Sequence, residues 1–169
     1  MKKKRIIIGI VSVLVVLIII RINNHGLWGE YNGKKKEASK GVVAFECEEY
    51  HNPKGGSGTG GGTGFSVVVK GNKMHVFSTN LAITGFYLYT REYVKEISES
   101  EIRDVKNTLF FGNWKHLCRI CKDIYQSHDS EYFWTSGVSD DGSKLPDGRF
   151  KWEAFYDQLL VSDTEPERE

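Results

Sequence analysis

The chain opens on an unbroken apolar run. Ile6 to Ile20 is fifteen residues with no charge and only Gly9 and Ser12 outside the branched aliphatics, and Arg21 and Ile22 close it. A helix from Ile6 to Ile22 rises roughly 25 Å at about 1.5 Å per residue, slightly less than the ~30 Å hydrocarbon core of a bilayer. The stems of Lys4, Arg5 and Arg21 can snorkel across the difference. A run that is apolar on every face suits lipid better than a soluble core. The following Arg21-Ile-Asn-Asn-His-Gly26 lacks the small residues of a signal-cleavage site. The pattern therefore predicts a cytoplasmic tail (1–5) and an uncleaved transmembrane signal-anchor helix (6–22).

Beyond it the pattern loses periodicity. Residues 23–41 contain four glycines and read as a tether. Alternation begins at Val42, with Val43, Phe45 and Cys47 against Ala44, Glu46 and Glu48, the period of a half-buried strand. Residues 54–64 hold seven glycines in eleven positions and predict a flexible loop. Phe65 to Thr79 then reads as a hairpin turning on Gly71-Asn72, a register that pairs Val69 with Met74, Val67 with Val76 and Phe65 with Ser78. Gly85 to Val94 predicts another strand, with Tyr87, Tyr89 and Tyr93 on one side.

The period changes at Ser98. Ser98-Glu-Ser-Glu101 is a capping-box sequence, and Ile102, Val105 and Leu109 follow at helical spacing. Gly112 and Asn113 suit a C-terminal and an N-terminal cap, and Trp114, Leu117, Cys118, Cys121, Ile124 and Tyr125 form the apolar stripe of a second helix. Glu131 to Val138 reads as a strand, and turns follow to Gly148. Residues 150–161 fit strand and helix equally, and the acidic 162–169 read as a disordered tail. The order strand, strand, strand, strand, helix, helix, strand, then strand or helix predicts an α+β domain over 42–161. Its sheet is mostly antiparallel, with two helices packed on one face.

Charge separates the two parts. The net charge of +1 sums a basic first forty residues, nine basic against two acidic, and an acidic remainder, 14 basic against 20 acidic. The body has no basic groove for a polyanion, which argues against nucleic acid as a partner. The basic cluster abutting the apolar run predicts a cytoplasmic N-terminus in the plasma (inner) membrane and a periplasmic or extracellular body, although Lys34, Lys35 and Lys36 follow on the far side. Trp28 and Tyr31 fall where an interfacial aromatic belt would lie.

Candidate chemistry is sparse. Cys118-Arg-Ile-Cys121 has redox spacing, but both cysteines sit mid-helix on the apolar face rather than at a helix N-terminus. In an oxidising compartment Cys47 would be free to pair with Cys118 or Cys121 in a disulfide, leaving one of the three cysteines over. His116 points about 160° away from Cys118 around the helix, so His116, Cys118, Cys121 and His128 make no zinc site, and no metal or cofactor is expected. The glycine run contains a formal G-x-G-x-x-G from Gly56 to Gly61 but is followed by a strand, not the helix that phosphate binding needs. Asp140-Asp-Gly-Ser143 lacks the alternating ligands of a calcium loop. His51, His75, His128, Asp129 and Glu131 are the residues a catalytic site would draw on, and no hydrolase motif accompanies them.

Aromatics are the remaining signal, four Trp and eight Tyr. Tyr87, Tyr89, Tyr93, Trp134 and Trp152 are the candidate binding residues, since such rings serve as protein hot spots or stack on sugars. The reading is a single-pass membrane protein whose extracytoplasmic domain is non-catalytic and binds another envelope protein, as an envelope-assembly component or an immunity-type protein. A glycan or peptidoglycan module, or a small envelope hydrolase, is the alternative.

Overall fold

The computed structural model describes residues 2–50, 62–81, 87–127, 131–137 and 144–168. The first element is a single helix, α1 (Lys2–His25). Its section Ile6–His25 is 20 residues long with a mean hydropathy of 2.8, and none of it is buried in the protein. Among the described residues nothing buries the aliphatic side chains from Ile6 to Ile20, which sets α1 apart from a core helix. It is long and apolar enough to cross a membrane.

Among the described residues six strands follow: β1 (Tyr31–Lys35), β2 (Val43–Tyr50), β3 (Gly62–Lys70), β4 (Lys73–Leu81), β5 (Tyr87–Glu96) and β6 (Glu131–Gly137). They form one sheet in chain order, each pair of neighbours antiparallel. The hairpin register read from sequence holds: Val69 lies opposite Met74, Val67 opposite Val76 and Phe65 opposite Ser78, with Gly71 at φ +58° in the turn. Between β5 and β6 come α2 (Glu99–Phe111) and α3 (Trp114–Gln126). Ser98 closes the capping box with Glu101, Gly112 ends α2 at φ +66°, and the Asn113 side chain accepts from the His116 N–H to start α3. Each cap satisfies backbone groups that a helix end leaves open, worth about 1 kcal/mol apiece.

The sheet is covered on both faces, not one. α2 and α3 pack Val105, Leu109, Leu117, Cys118, Cys121 and Ile124 onto Phe45, Cys47, Phe65, Val67, Met74 and Val76. Residues 150–161 resolve as a helix, α4 (Lys151–Val161), whose Phe155, Tyr156 and Leu159 cover Ala44, Val68 and Phe77 on the reverse face. The ambiguity in sequence arose because Phe150 and Trp152 alternate. The reverse face of the hairpin decides for a helix, since Val68 and Phe77 are wholly buried and need a cover.

Three boundaries move. Much of the expected tether is folded: β1 pairs with β2 from Tyr31↔Glu49 to Lys35↔Phe45. Tyr31 packs on the core with its hydroxyl bonded to Glu49 at 3.2 Å, so it does not belong to a membrane belt. Gly33 lets the Trp114 ring lie directly against the β1 backbone, in the space a Cβ would take. The second change lies in the glycine run, where Gly62 to Gly64 are β3 residues paired with Tyr50 to Glu48; the expected loop at 54–61 lies outside the described residues. Third, residues 162–168 are held to the sheet. Lys70 Nζ donates to the Ser162 and Thr164 carbonyls at 2.6 and 2.7 Å, and Lys73 pairs with Glu165 at 2.7 Å. Of the acidic residues that suggested a frayed tail, Glu165 is met by Lys73 at the β3–β4 turn and by Arg168.

Two outcomes follow for the β1 edge. Gly33→Val forces side-chain atoms into the space of the Trp114 ring and should cost about 1–3 kcal/mol in urea unfolding. Glu46 bridges Lys34 and Lys36, each at 2.9 Å. Burial pushes its carboxyl up, but the two lysines more than offset this and leave it below its ordinary value. A depressed folded value means the stabilisation is complete above the ordinary carboxylate range and is lost as pH falls through the folded value. The protection of β1 amides, their exchange corrected for the intrinsic rate at each pH, should therefore fall on acidification in the native chain, and Glu46→Gln should remove that acid dependence.

Candidate functional site

Of the five candidate binding aromatics, Tyr93 and Trp152 lie on opposite faces of the sheet. Tyr93 faces α3, where its ring meets Tyr125 edge-on at 5.1 Å. Trp152 starts α4 on the opposite face of the sheet and packs on Phe77 at 5.8 Å. Both are half-buried. One ligand cannot touch both faces of a sheet that is covered by helices on either side. Tyr87 and Tyr89 belong to β5 and Trp134 to β6, and their side chains lie outside the described residues.

The cysteines converge in the core under α3. Cys47, Cys118 and Cys121 are all buried and unbonded, with Cys47 Sγ 3.9 Å from Cys121 Sγ, so the expected disulfide is not formed in this structure. The Cys118 contact lowers the Cys47 thiol, but the Cys121 contact and burial outweigh it and hold it well above its ordinary value. Contact with Cys47, then burial, raises Cys118. Thiols held protonated in this way are poor nucleophiles. Among the described residues no three potential ligands converge as a metal site.

The described histidines also lie apart. His75 pairs with Val68 across the hairpin, as its spacing implied, but it is only 1% exposed. Its Nδ1 lies 2.9 Å from Oε1 of Glu92, which is fully buried. Arg168 donates to both oxygens of that carboxylate at 3.1 and 3.4 Å, with its guanidinium 4.7 Å from the Phe155 ring centre. Sealed under α4, this cluster has a structural role, because a buried carboxylate needs hydrogen bonds and an opposite charge. His116 pairs with Asp104 at 3.1 Å on the surface, and Glu131 is exposed at the start of β6. His51, His128, Asp129 and the turn at Asp140 to Ser143 lie outside the described residues. Glu92 and Arg168 escape sequence reasoning because nothing in the spacing announces that residue 168 returns to the sheet.

What the surface does present lies along α2. This helix buries Val105, Thr108 and Leu109 and leaves a cleft on each side. One, of about 250 Å3, has Met74, Ile97, Val105, Ile120 and Ile124 at its floor and Glu101, Asp104, Asp123 and Lys95 at its rim. The other, of about 380 Å3, sits between α2 and the ends of β2 and β3, over Val43, Val69 and Ile102, with Arg103, Lys106 and Glu99 around it. An apolar floor inside a charged rim is the composition of a protein-recognition surface. The helical spacing of Ile102, Val105 and Leu109 was visible in the sequence. That the helix lies beside the turn end of the β3–β4 hairpin, leaving a groove on either side, was not.

No protein-family model matches this chain, and neither a curated protein nor a solved structure matches it.

Two measurements check the buried groups. Alkylation of the native chain without reductant should leave Cys47, Cys118 and Cys121 unmodified, and denaturation should then expose three free thiols by mass. Arg168→Ala should destabilise the domain by about 3 kcal/mol in urea unfolding, since it strips the charged partner from a buried carboxylate.

Proposed function

We propose that the chain is a membrane-anchored, non-catalytic interaction protein. In this reading α1 crosses the plasma membrane with residues 1–5 in the cytoplasm, and the domain recognises another envelope protein from the periplasmic or extracellular side. The observation that carries it is the pair of apolar-floored clefts beside α2, one rimmed mainly by carboxylates and the other by Arg103 and Lys106. Opposite charge on two sides of one exposed helix fixes the register in which a complementary surface can dock. The partner would then be a component of an envelope assembly, or a toxin that this protein neutralises. The glycan alternative is weakened by the separation of Tyr93 from Trp152 on opposite faces. A hydrolase reading loses its most central histidine to a sealed core.

The test is a quantitative pull-down of the full chain from detergent-solubilised native membranes. A stoichiometric protein partner is expected, retained by a Gln158→Ala control on α4 and bound about tenfold or more weakly by Arg103→Glu combined with Lys106→Glu. A partner that binds the charge-reversed chain equally well would move the site away from α2. Absence of any stoichiometric partner would overturn the reading. Protease digestion of spheroplasts should remove the domain, and protection of it would reverse the orientation.

A further inference from the structure

Four large apolar side chains stand in solvent around the end of α1: Leu27 (59% exposed), Trp28 (57%), Phe110 (76%) and Phe111 (71%). Neither phenylalanine contributes to the core, because the inward positions of α2 are Val105, Thr108 and Leu109. Their rings meet edge-on at 5.2 Å, forming one projecting apolar tip at the α2–α3 corner. Leaving both rings in water is unfavourable relative to burying them in an apolar environment.

The position of that tip is set by α1. Asn24 Nδ2 donates to the Phe111 carbonyl at 3.2 Å, and α1 also packs against α3 and β1. The end of α2 is thereby placed beside α1 at Asn24, two residues beyond Ile22. At about 1.5 Å per residue this is about 3 Å past the end of the apolar run. The headgroup layer is roughly 5–7 Å thick on each side of a bilayer, so the corner falls within it.

We infer that Phe110 and Phe111, together with Leu27 and Trp28, form a second membrane contact that inserts into the outer interfacial layer and holds the domain down on the bilayer. The inference rests on the membrane-spanning reading of α1. The occupant is lipid rather than a protein, because the patch is continuous with the anchor and stands at headgroup depth, where aromatic rings partition favourably. A domain docked in this way cannot tumble on a tether, so the clefts beside α2 are presented to a partner at a fixed height and azimuth.

The test uses the full chain in vesicles of phosphatidylcholine and phosphatidylglycerol, with an environment-sensitive nitrobenzoxadiazole label on Phe111→Cys. The three native thiols are at most 1% exposed and stay unlabelled in the folded protein. Phe110→Cys provides a second site, Glu99→Cys reports the far end of α2, and Leu14→Cys reports the anchor. Lipids with a shallow nitroxide should quench the labels at 110 and 111 about threefold or more over the label at 99. Deep nitroxides should quench the label at 14. Water-like emission at 110 and 111 with a quenched label at 14 would overturn the second contact while leaving the anchor intact. A blue-shifted but unquenched label at 111 would also overturn it, and would assign the tip to a second copy of the chain. A water-like label at 14 would remove the anchor and the inference with it.

Discussion

The fold depends on a hairpin that must be dry on both faces. Val67, Val68, Val69, Met74, His75, Val76 and Phe77 are consecutive or nearly so, and all are buried. Since neighbouring residues on a strand point to opposite sides, such a run cannot be satisfied by helices on one face alone. One layer, α2 and α3, therefore covers Val67, Met74 and Val76, and a second, α4, covers Val68 and Phe77. The three-layer arrangement follows from that requirement, as does the return of the chain past α4 to the hairpin turn.

Covering the second face has a cost that the structure meets in polar terms. The alternation that buries Phe77 also buries His75 and, across the β4–β5 pair, Glu92. A carboxylate there would be expensive without partners. His75 supplies one from the neighbouring strand and Arg168 supplies a charged one from the end of the chain. The C-terminal segment thus belongs to the folding unit. The opposite layer contains its polar groups differently, by placing three weakly polar thiols together beneath α3, where contact among them and burial hold those of Cys47 and Cys118 protonated.

The N-terminal helix and the domain are joined by structure rather than by a free linker. α1 ends at His25, whose ring nitrogen lies 3.0 Å from the Tyr31 carbonyl, and five residues separate that helix from the first strand of the sheet. Gly26 at φ +80° and Gly29 at φ +73° make the reversal, a backbone that side chains disfavour. The Trp114 ring against Gly33 then locks α3 to β1. A short, hydrogen-bonded connection of this kind limits how the domain can turn relative to α1, which is what gives the exposed clefts beside α2 a defined orientation.

Local features were legible in the sequence because local forces decide them. The apolar run, the Gly71-Asn72 register, the Ser98 capping box and the Asn113 cap each rest on residues within a few positions of one another, and all stand in the structure. The same reading placed β1 in a tether, since Tyr31-Asn-Gly-Lys-Lys35 has no alternation: an edge strand paired on one side needs no apolar period. It left 150–161 undecided because aromatic spacing fits both periods until a buried sheet face is present to choose between them. The aromatic candidates were sorted in the same way, as strand alternation puts Tyr93 under α3 while chain return puts Trp152 on the reverse face. Burial is shared among segments distant in sequence, so only the tertiary structure could decide the second helical layer, the partner of Glu92 and the grooves along α2.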